Sequence, residues 1–190
     1  MYDIAIIGAG PAGASAAIFA AKAGKKTLVI DSDKGITRRA WFENYYGIKE
    51  ISGPELVDVG IEQLKKFGAE YVRDEATDAR AADGSIRITT AGGATHEAKC
   101  LILATGVSTD LAEKLGVRIK PGTEPRIKNI VEVDAQGRTN VPGVWAAGTV
   151  AGVSVHAVIT AGDGAKVAIN VISEMNGERH VDHDVFQPKS

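Results

Sequence analysis

Short apolar runs alternate with segments of helical period in the first part of the chain. Residues 4–7 and 26–31 are apolar enough for buried strands, and residues 11–23 form a predicted helix between them. Residues 53–67 predict an amphipathic helix, because Leu56, Val59, Gln63 and Leu64 recur near the helical spacing, and residues 69–73 predict a third parallel strand. This alternation indicates an α/β fold with a parallel sheet.

The middle of the chain changes to a pattern of short strands. Three segments at 75–81, 85–90 and 95–99 are separated by Asp83-Gly84 and Gly92-Gly93, which are strong turn signals. They predict a small antiparallel β-meander. A separate buried strand is expected from Cys100 to a glycine turn at Gly106.

The last third is predicted to return to the sheet. The expected elements are a helix at 110–116, a loop at 120–128, strands at 130–133 and 144–147, and a long apolar helix at 154–174. No composition break marks a linker, so the prediction is a single domain over residues 1–180 with a polar tail at 181–190.

Charge and cysteine content narrow the function. The 190 residues include 24 acidic and 22 basic side chains, giving a formal net charge of −2, which argues against a general binder of nucleic acid or acidic membranes. No stretch resembles a signal peptide or a spanning helix, so we expect a cytoplasmic protein. Cys100 is the single cysteine, which excludes a dithiol site within this chain, and redox chemistry would therefore require a bound cofactor.

The opening strand runs into a glycine-rich loop, Gly8-Ala-Gly-Pro-Ala-Gly13, that occurs once in the chain. Gly8 permits a sharp turn, Gly10 lets a pyrophosphate approach the main chain, and Gly13 lets the following helix lie close to the strand. The start of that helix would face phosphates with free N–H groups and its positive dipole end. Asp31 lies near the spacing of about 20 residues expected of an acid that binds a ribose hydroxyl. The pattern predicts a nucleotide site.

Several further segments, in the same order and with similar spacing, resemble the FAD domain of low-molecular-weight thioredoxin-reductase-like flavoproteins. They are FENYYG at 42–47, ISGPEL at 51–56, FGAE at 67–70, LATG at 103–106, TNVPGVWAAG at 139–148 and AVITAG at 157–162. The resemblance covers most of the chain. It implies a three-layer Rossmann-like FAD-binding domain.

The resemblance also implies a set of cofactor-binding positions, taken over one by one. The loop would hold the FAD pyrophosphate, Asp31 the adenosine ribose, and the later turns and the last helix the ribityl chain and flavin ring. The implied residues are Gly8, Gly10, Pro11, Ala12, Gly13, Asp31, Ser32, Thr37, Asn44, Ala104, Thr105, Gly106, Gly148, Thr149, Val155, His156 and Ala157.

Three departures from the family pattern change the expected function. Only about 30 residues separate Gly106 from Thr139, too few for the inserted NADPH domain of typical size. The Cys-x-x-Cys pair is missing, and Thr149 and Val155-His156 replace an aspartate and an Arg-Gln pair. We therefore expect a single-domain FAD-dependent oxidoreductase, a homodimer, that takes electrons from an external donor, NAD(P)H or a redox protein, and is not itself a disulfide reductase.

Three interpretations remain open at this point. The chain is either that oxidoreductase or a non-catalytic FAD-binding redox sensor or regulatory module. A third reading has the glycine loop binding NAD in place of FAD, against which the turns near Gly106 and Gly148 argue.

Individual residues also have two interpretations. Cys100 is a buried apolar side chain or a thiol near the flavin. His156 is a proton relay to the flavin, and our candidate catalytic residue, or a solvated helix cap. Trp41, Tyr45 and Tyr46 either shield or stack on a cofactor ring, or fill the core or a subunit interface. Arg38 and Arg39 are an exposed pair that either attracts an anionic partner or is simply solvated. We assign Asp163 no chemistry and expect its neighbours Gly162 and Gly164 to allow close packing.

Overall fold

The computed structural model describes residues 1–186 and contains four α-helices and eleven strands within that range. The helices are α1 (Pro11–Lys22), α2 (Gly53–Lys66), α3 (Asp110–Lys114) and α4 (Ala157–Asn176). The strands are β1 (Tyr2–Ile7), β2 (Thr27–Asp31), β3 (Trp41–Phe42), β4 (Ile51–Ser52), β5 (Glu70–Arg73), β6 (Ala76–Ala82), β7 (Ser85–Thr90), β8 (Thr95–Leu103), β9 (Ile119–Pro121), β10 (Asn129–Val131) and β11 (Val144–Ala146). The predicted tail has no helix or strand over residues 181–186, and residues 187–190 lie outside the described range.

The centre of the molecule is a parallel sheet in the order β5-β2-β1-β8-β11. β1 lies in the middle, with Ile4 opposite Thr27 of β2 and Cys100 of β8. Because these strands run parallel, their carboxyl ends and the loops that follow them meet at one edge of the sheet.

The antiparallel meander is attached to this sheet through β8. The sequence predicts two strands, one at 95–99 and another from Cys100, but a single nine-residue strand covers both. Lys99 interrupts the apolar pattern without a glycine or proline, so the backbone has no reason to turn there. The first half of β8 pairs antiparallel with β7, and the second half pairs parallel with β1 and β11.

Alternate side chains of the parallel strands form two separate apolar clusters. On one face Ile4, Ile6, Val29 and Ile102 pack with α1, α2 and α4. On the other face the residues in between, such as Ile7 and Leu28, pack with the meander and α3. The period-two alternation therefore builds three layers. The predicted three-layer α/β architecture is confirmed.

Two other element boundaries differ from those predicted. The predicted loop at 120–128 begins inside β9, which pairs antiparallel with β10. The last helix begins at Ala157 rather than at residue 154, because His156 is its extended N-cap and Gly152, in a left-handed conformation, ends the preceding 3₁₀ turn. Within the described residues, no helix is both long and apolar enough to span a membrane.

Candidate functional site

A cavity of about 600 Å³ opens at the carboxyl ends of β1, β2 and β8. Its volume falls within the range of about 300–1,000 Å³ that is usual for small-molecule and cofactor sites. Most of the predicted cofactor-binding residues line it. They are Gly8, Gly10, Pro11, Ala12, Asp31, Ser32, Thr37, Ala104, Thr105, Gly106, Thr149, Val155 and Ala157.

Each of the three glycines of the first loop is explained by its own surroundings. A Cβ on Gly8 would lie 2.4 Å from the carbonyl oxygen of Ala104, and one on Gly13 would lie 1.9 Å from the carbonyl oxygen of Gly8. Both glycines are therefore needed for packing within the protein. A Cβ on Gly10 would meet only Thr37 Oγ1, at 3.8 Å. Nothing in the protein requires a glycine there, so the bare backbone at Gly10 leaves room in the cavity for a ligand.

The N-terminus of α1 has the features of an anion-binding site. Gly10 is its N-cap, Pro11 follows, and its first turn contains no acidic residue. The first hydrogen bond of the helix runs from Ala14 N to Gly10 O, at 2.9 Å, so the N–H groups of Ala12 and Gly13 precede the helical ladder. Together with the helix dipole, these groups favour a phosphate at this end.

Asp31 connects the end of β2 to the glycine loop. Its Oδ1 accepts a hydrogen bond from Ala9 N at 3.0 Å, and its Oδ2 accepts from Asp33 N at 3.1 Å and from the Tyr71 hydroxyl at 3.4 Å. Burial and the negative charges of Asp31 and Asp33 raise the pKa of Tyr71 to about 12. A carboxylate has about four acceptor sites, so Asp31 keeps capacity for a hydroxyl donor from the cavity.

The segment that follows β2 forms one wall of the cavity and is held by ion pairs. Arg38 pairs with Asp33 and with Asp58 of α2, the latter at 2.9 Å, and Arg73 also pairs with Asp33. Arg38 is thus a structural residue that fixes this wall, and the interpretation of Arg38 and Arg39 as an exposed pair is wrong for Arg38. Arg39 is exposed.

The turn after β8 lies directly beside the glycine loop, and both line the cavity. Ala104 N donates to Ile7 O at 2.9 Å, which ties the turn to β1. The Thr105 hydroxyl donates to Ser108 O at 2.6 Å, and Gly106 has a left-handed conformation with φ of +65°. The turn predicted from the LATG segment is therefore part of the cavity wall.

The turn after β11 is fixed from behind by a residue to which the sequence assigns no role. Gly148 N donates to Asp163 Oδ2 at 2.8 Å, while Thr149 lines the cavity. The side chain of Asp163 is only 8% exposed, and its Oδ1 pairs with Lys166 Nζ at 2.6 Å. An acidic residue flanked by glycines in an apolar helix is the sequence signal that points to such a contact. Of those glycines, Gly164 packs against Ala12 O, as expected. A Cβ on Gly162 would meet no atom within 4 Å, so the prediction of close packing is wrong for Gly162.

Four of the predicted residues do not line the cavity. Gly13 lies behind the glycine loop, and Gly148 lies behind the cavity wall formed by the turn after β11. Asn44 is exposed on the loop after β3. His156 is exposed at the start of α4, and its Nδ1 lies 2.8 Å from Ser154 Oγ. The direct roles of these four residues at a cofactor stay predictions.

The lining of the cavity divides into a charged part and an apolar part. The charged part includes Asp31 and an ion pair between Lys34 Nζ and Glu75 Oε2 at 2.6 Å, and Lys114 Nζ donates to Thr77 O nearby. The apolar part, after β11 and at the start of α4, is formed by Ala147, Val155 and Ala157, whereas other apolar lining residues, such as Ile30, lie beside the charged part. This arrangement suits a long ligand with a polar half and a flat apolar half.

The three aromatic residues Trp41, Tyr45 and Tyr46 differ in how far they are exposed. Trp41 and Tyr46 are 60% and 93% exposed, while Tyr45 is half-buried and lines a second cavity of about 210 Å³ between α1 and α2. Burial raises the pKa of Tyr45. The second cavity shares Gly10 and Pro11 with the first.

Cys100 lies in β8, partly buried against the helix-side core. Burial first, and then the charge of Glu174, raises the pKa of its thiol. A thiol with a raised pKa is a poor nucleophile near neutral pH, and these surroundings favour the interpretation of Cys100 as a packing residue.

Comparison with known sequences reveals clear similarities. A family model described as pyridine nucleotide-disulphide oxidoreductase matches residues 2–117 and 48–169. A thioredoxin reductase of Peptoclostridium acidaminophilum is 41% identical over 116 residues, covering 59% of this chain and 36% of that protein. One of Mycolicibacterium smegmatis is 41% identical over 128 residues, covering 65% of this chain and 39% of that protein. The chain thus matches well under half of the length of these relatives.

Solved structures share the fold at lower sequence identity. The atypical thioredoxin reductase TRi from Desulfovibrio vulgaris Hildenborough superposes with a TM-score of 0.83 at 23% identity, covering 94% of this chain and 99% of that chain. A thioredoxin reductase from Gloeobacter violaceus gives a TM-score of 0.80 at 20% identity, covering 98% and 99%.

Proposed function

We propose that this chain, which belongs to the pyridine nucleotide-disulphide oxidoreductase family, binds FAD in the 600 Å³ cavity and acts as an oxidoreductase supplied with electrons from outside the chain. The observation that carries the proposal is Gly10. Its bare backbone faces a cavity at the N-terminus of α1, and no packing within the protein accounts for the glycine.

The lining residues suit the pyrophosphate, the adenosine ribose, the ribityl chain and the flavin ring of FAD. The N–H groups at the start of α1 would bind the pyrophosphate, and Asp31, beside the charged part of the lining, would accept a hydrogen bond from the adenosine ribose. The Thr149 hydroxyl can bond a ribityl hydroxyl, and Val155 and Ala157 would contact the flavin ring.

The N-terminus of α4 has a role in this proposal. The helix is 20 residues long, begins at Ala157 beside the apolar part of the lining, and has no acidic residue in its first turn. Its dipole and free N–H groups would stabilise negative charge on a reduced ring. Bound FAD supplies the hydride and single-electron chemistry.

We infer an external electron donor from the segment that separates the Ala104–Gly106 turn from β11. Residues 107–138 contain only α3, β9 and β10 as regular elements, so no second nucleotide-binding unit separates the Ala104–Gly106 turn from β11. The sequence also contains one cysteine, so this chain by itself does not have a dithiol to oxidise. NAD(P)H or a redox protein at an open flavin face would deliver the electrons.

A non-catalytic flavin-binding sensor or regulatory module is the second candidate. This candidate is favoured by the single cysteine and by the lack of a second nucleotide-binding unit between the Ala104–Gly106 turn and β11, since turnover within one chain would need both a thiol pair and a nicotinamide site. The two functions share the cofactor and differ only in turnover.

A homodimer is also part of the proposal. Val158 and Ile159 are exposed in the first turn of α4 and do not line the cavity, and a second copy would cover this apolar surface. Sedimentation analysis of the full chain checks it. The cytoplasmic location expected from the sequence stays a prediction.

The test is anaerobic reduction of the FAD-reconstituted full chain, followed at the blue absorbance band of the flavin. NADPH, NADH and dithionite are compared as donors, and reoxidation is followed with an artificial acceptor. Reduction by a nicotinamide and reoxidation in repeated cycles support the oxidoreductase. Reduction by dithionite alone, with no cycling by any acceptor, favours the sensor, and a chain that holds no flavin contradicts both.

A further inference from the structure

Asp163 is an acid with a largely buried side chain, and both of its carboxylate oxygens have partners. It lies in the second turn of α4, its side chain is 8% exposed, and one oxygen pairs with the half-exposed Lys166. The other oxygen accepts the backbone N–H of Gly148 at 2.8 Å. Removing a carboxylate from water is costly unless it is paired, so this placement needs a reason beyond helix formation.

The group that Asp163 holds is the turn that carries Thr149. Gly148 has φ of +77°, and a Cβ there would lie 2.7 Å from the Ala12 side chain of α1. On the other side, Ala147 N donates to Leu103 O at 2.9 Å, which anchors the start of the turn to β8. The turn therefore has one anchor to the sheet and one to α4, and the second anchor is the carboxylate of Asp163.

Asp163 does not line the cavity, whereas Ala147 and Thr149 on either side of Gly148 do. Any effect of the carboxylate on a ligand must act through the turn. The turn borders the apolar part of the cavity, away from the Asp31 end, so it would affect only one half of a long ligand.

We propose that Asp163 is a positioning residue that fixes the Gly148–Thr149 turn in the conformation that binds the ribityl half of the cofactor. This inference rests on the proposed FAD function. The carboxylate orders the turn before binding, so the protein does not lose that ordering entropy when the cofactor arrives.

The proposal separates the two halves of the ligand. FAD spans both halves, whereas ADP occupies only the half near Asp31 and α1. Asp163→Ala removes the acceptor of the Gly148 N–H, so the turn has to be ordered when FAD binds, and we expect the dissociation constant for FAD to rise by about 10-fold, the order expected for fixing the backbone of one residue. The dissociation constant for ADP is expected to change by less than about threefold.

The experiment measures FAD binding by quenching of flavin fluorescence and ADP binding by calorimetry, on the full chain freed of nucleotide. Asp163→Asn retains an oxygen that accepts the Gly148 N–H, and Lys166→Ala removes only the ion pair. Both control variants are expected to bind FAD within about threefold of the unchanged protein. If Asp163→Ala is insoluble, Asp163→Ser, whose hydroxyl is too short to reach Gly148, gives the same comparison.

The outcomes distinguish this inference from the function on which it rests. Selective loss of FAD affinity in Asp163→Ala or Asp163→Ser, with ADP affinity and the two control variants unaffected, supports the positioning role. Parallel losses of FAD and ADP affinity indicate general destabilisation and contradict it, as does unchanged FAD affinity. If the unchanged protein binds neither ligand, the proposed function itself is wrong.

Discussion

The carboxylate of Asp31, at the end of β2, accepts a hydrogen bond from the backbone N–H of Ala9, in the middle of the glycine loop, at 3.0 Å. This contact joins the two parts of the nucleotide fingerprint directly, although they lie in different strand-to-loop connections. The acid has two tasks in this arrangement: it holds the loop, and it lines the cavity where a ribose would lie.

Replacing Asp31 is therefore expected to weaken the binding of FAD and ADP alike. In Asp31→Ala the loop loses its acceptor and the ribose hydroxyl loses its partner, so both dissociation constants should rise by about 10-fold or more. Calorimetry with each ligand measures this. Asp78→Ala is the matched control, since Asp78 pairs with Arg80 on β6 and does not line the cavity. Loss of FAD affinity without loss of ADP affinity in Asp31→Ala would contradict the placement of the ribose.

Gly10 and Gly13 are expected to lose stability to different extents on the same substitution. Gly13→Ala brings a Cβ to 1.9 Å from Gly8 O, so the free energy of unfolding should fall by about 2 kcal/mol or more. Gly10→Ala meets no closer atom than Thr37 Oγ1 at 3.8 Å and should cost less than about 1 kcal/mol. Urea unfolding of the nucleotide-free variants measures both.

The same pair also separates folding from binding. Although Gly10→Ala should fold well, its methyl group enters the space assigned to the pyrophosphate, and FAD affinity should drop at least about 10-fold. A Gly10→Ala variant that binds FAD as tightly as the unchanged protein would show that no phosphate approaches the backbone at this position.

Acid stability should depend on Asp3, at the start of β1. A hydrogen bond from Lys99 Nζ, at 2.7 Å, and one from Lys26 N, at 2.9 Å, hold the pKa of Asp3 below its ordinary value of 3.8. A carboxyl whose pKa is lower in the folded than in the unfolded state stabilises the fold above the unfolded value, and this contribution is lost as the pH falls through the folded value.

Asp3→Asn removes that titration. We expect the variant to be less stable than the unchanged protein near neutral pH, and the difference to shrink as the pH falls below about 4. Thermal unfolding at a series of pH values measures the difference. A gap that stays constant down to acid pH would mean that the ion pair with Lys99 does not link folding to pH.

Cys100 should be dispensable for electron transfer. It packs in β8 with a raised thiol pKa and does not line the cavity. Cys100→Ala is expected to leave the rate of flavin reduction and reoxidation within about twofold of the unchanged protein, measured by stopped-flow absorbance. A loss of reoxidation with an intact flavin spectrum would indicate that the thiol takes part in the chemistry.

The parallel sheet and the glycine loop were predictable because their signals are local. An apolar run such as residues 4–7, followed by glycines at fixed spacing and a helix, determines both an element and its end. The family segments also locate the turns near Gly106 and Gly148. In the structure Gly106 lines the same cavity as the first loop, and Gly148 lies directly behind the wall of that cavity.

The continuity of β8 and the role of Asp163 depend on contacts between distant segments. β8 is one strand because different partners, β7 on one half and β11 on the other, take up the same edge of the strand in succession. Asp163 contacts Gly148 across a 3₁₀ turn and the start of α4. Periodicity and spacing predict neither arrangement. An acid between two glycines marks Asp163 as unusual, but the sequence does not indicate which residue it contacts.

The most direct test of the account is the visible absorbance of the full chain after incubation with FAD and removal of free cofactor by gel filtration. The account predicts a flavin band that stays with the protein at about one FAD per chain and that is lost in Gly10→Ala. Protein that elutes without flavin, or that retains it equally in Gly10→Ala, would contradict the claim that this cavity holds FAD.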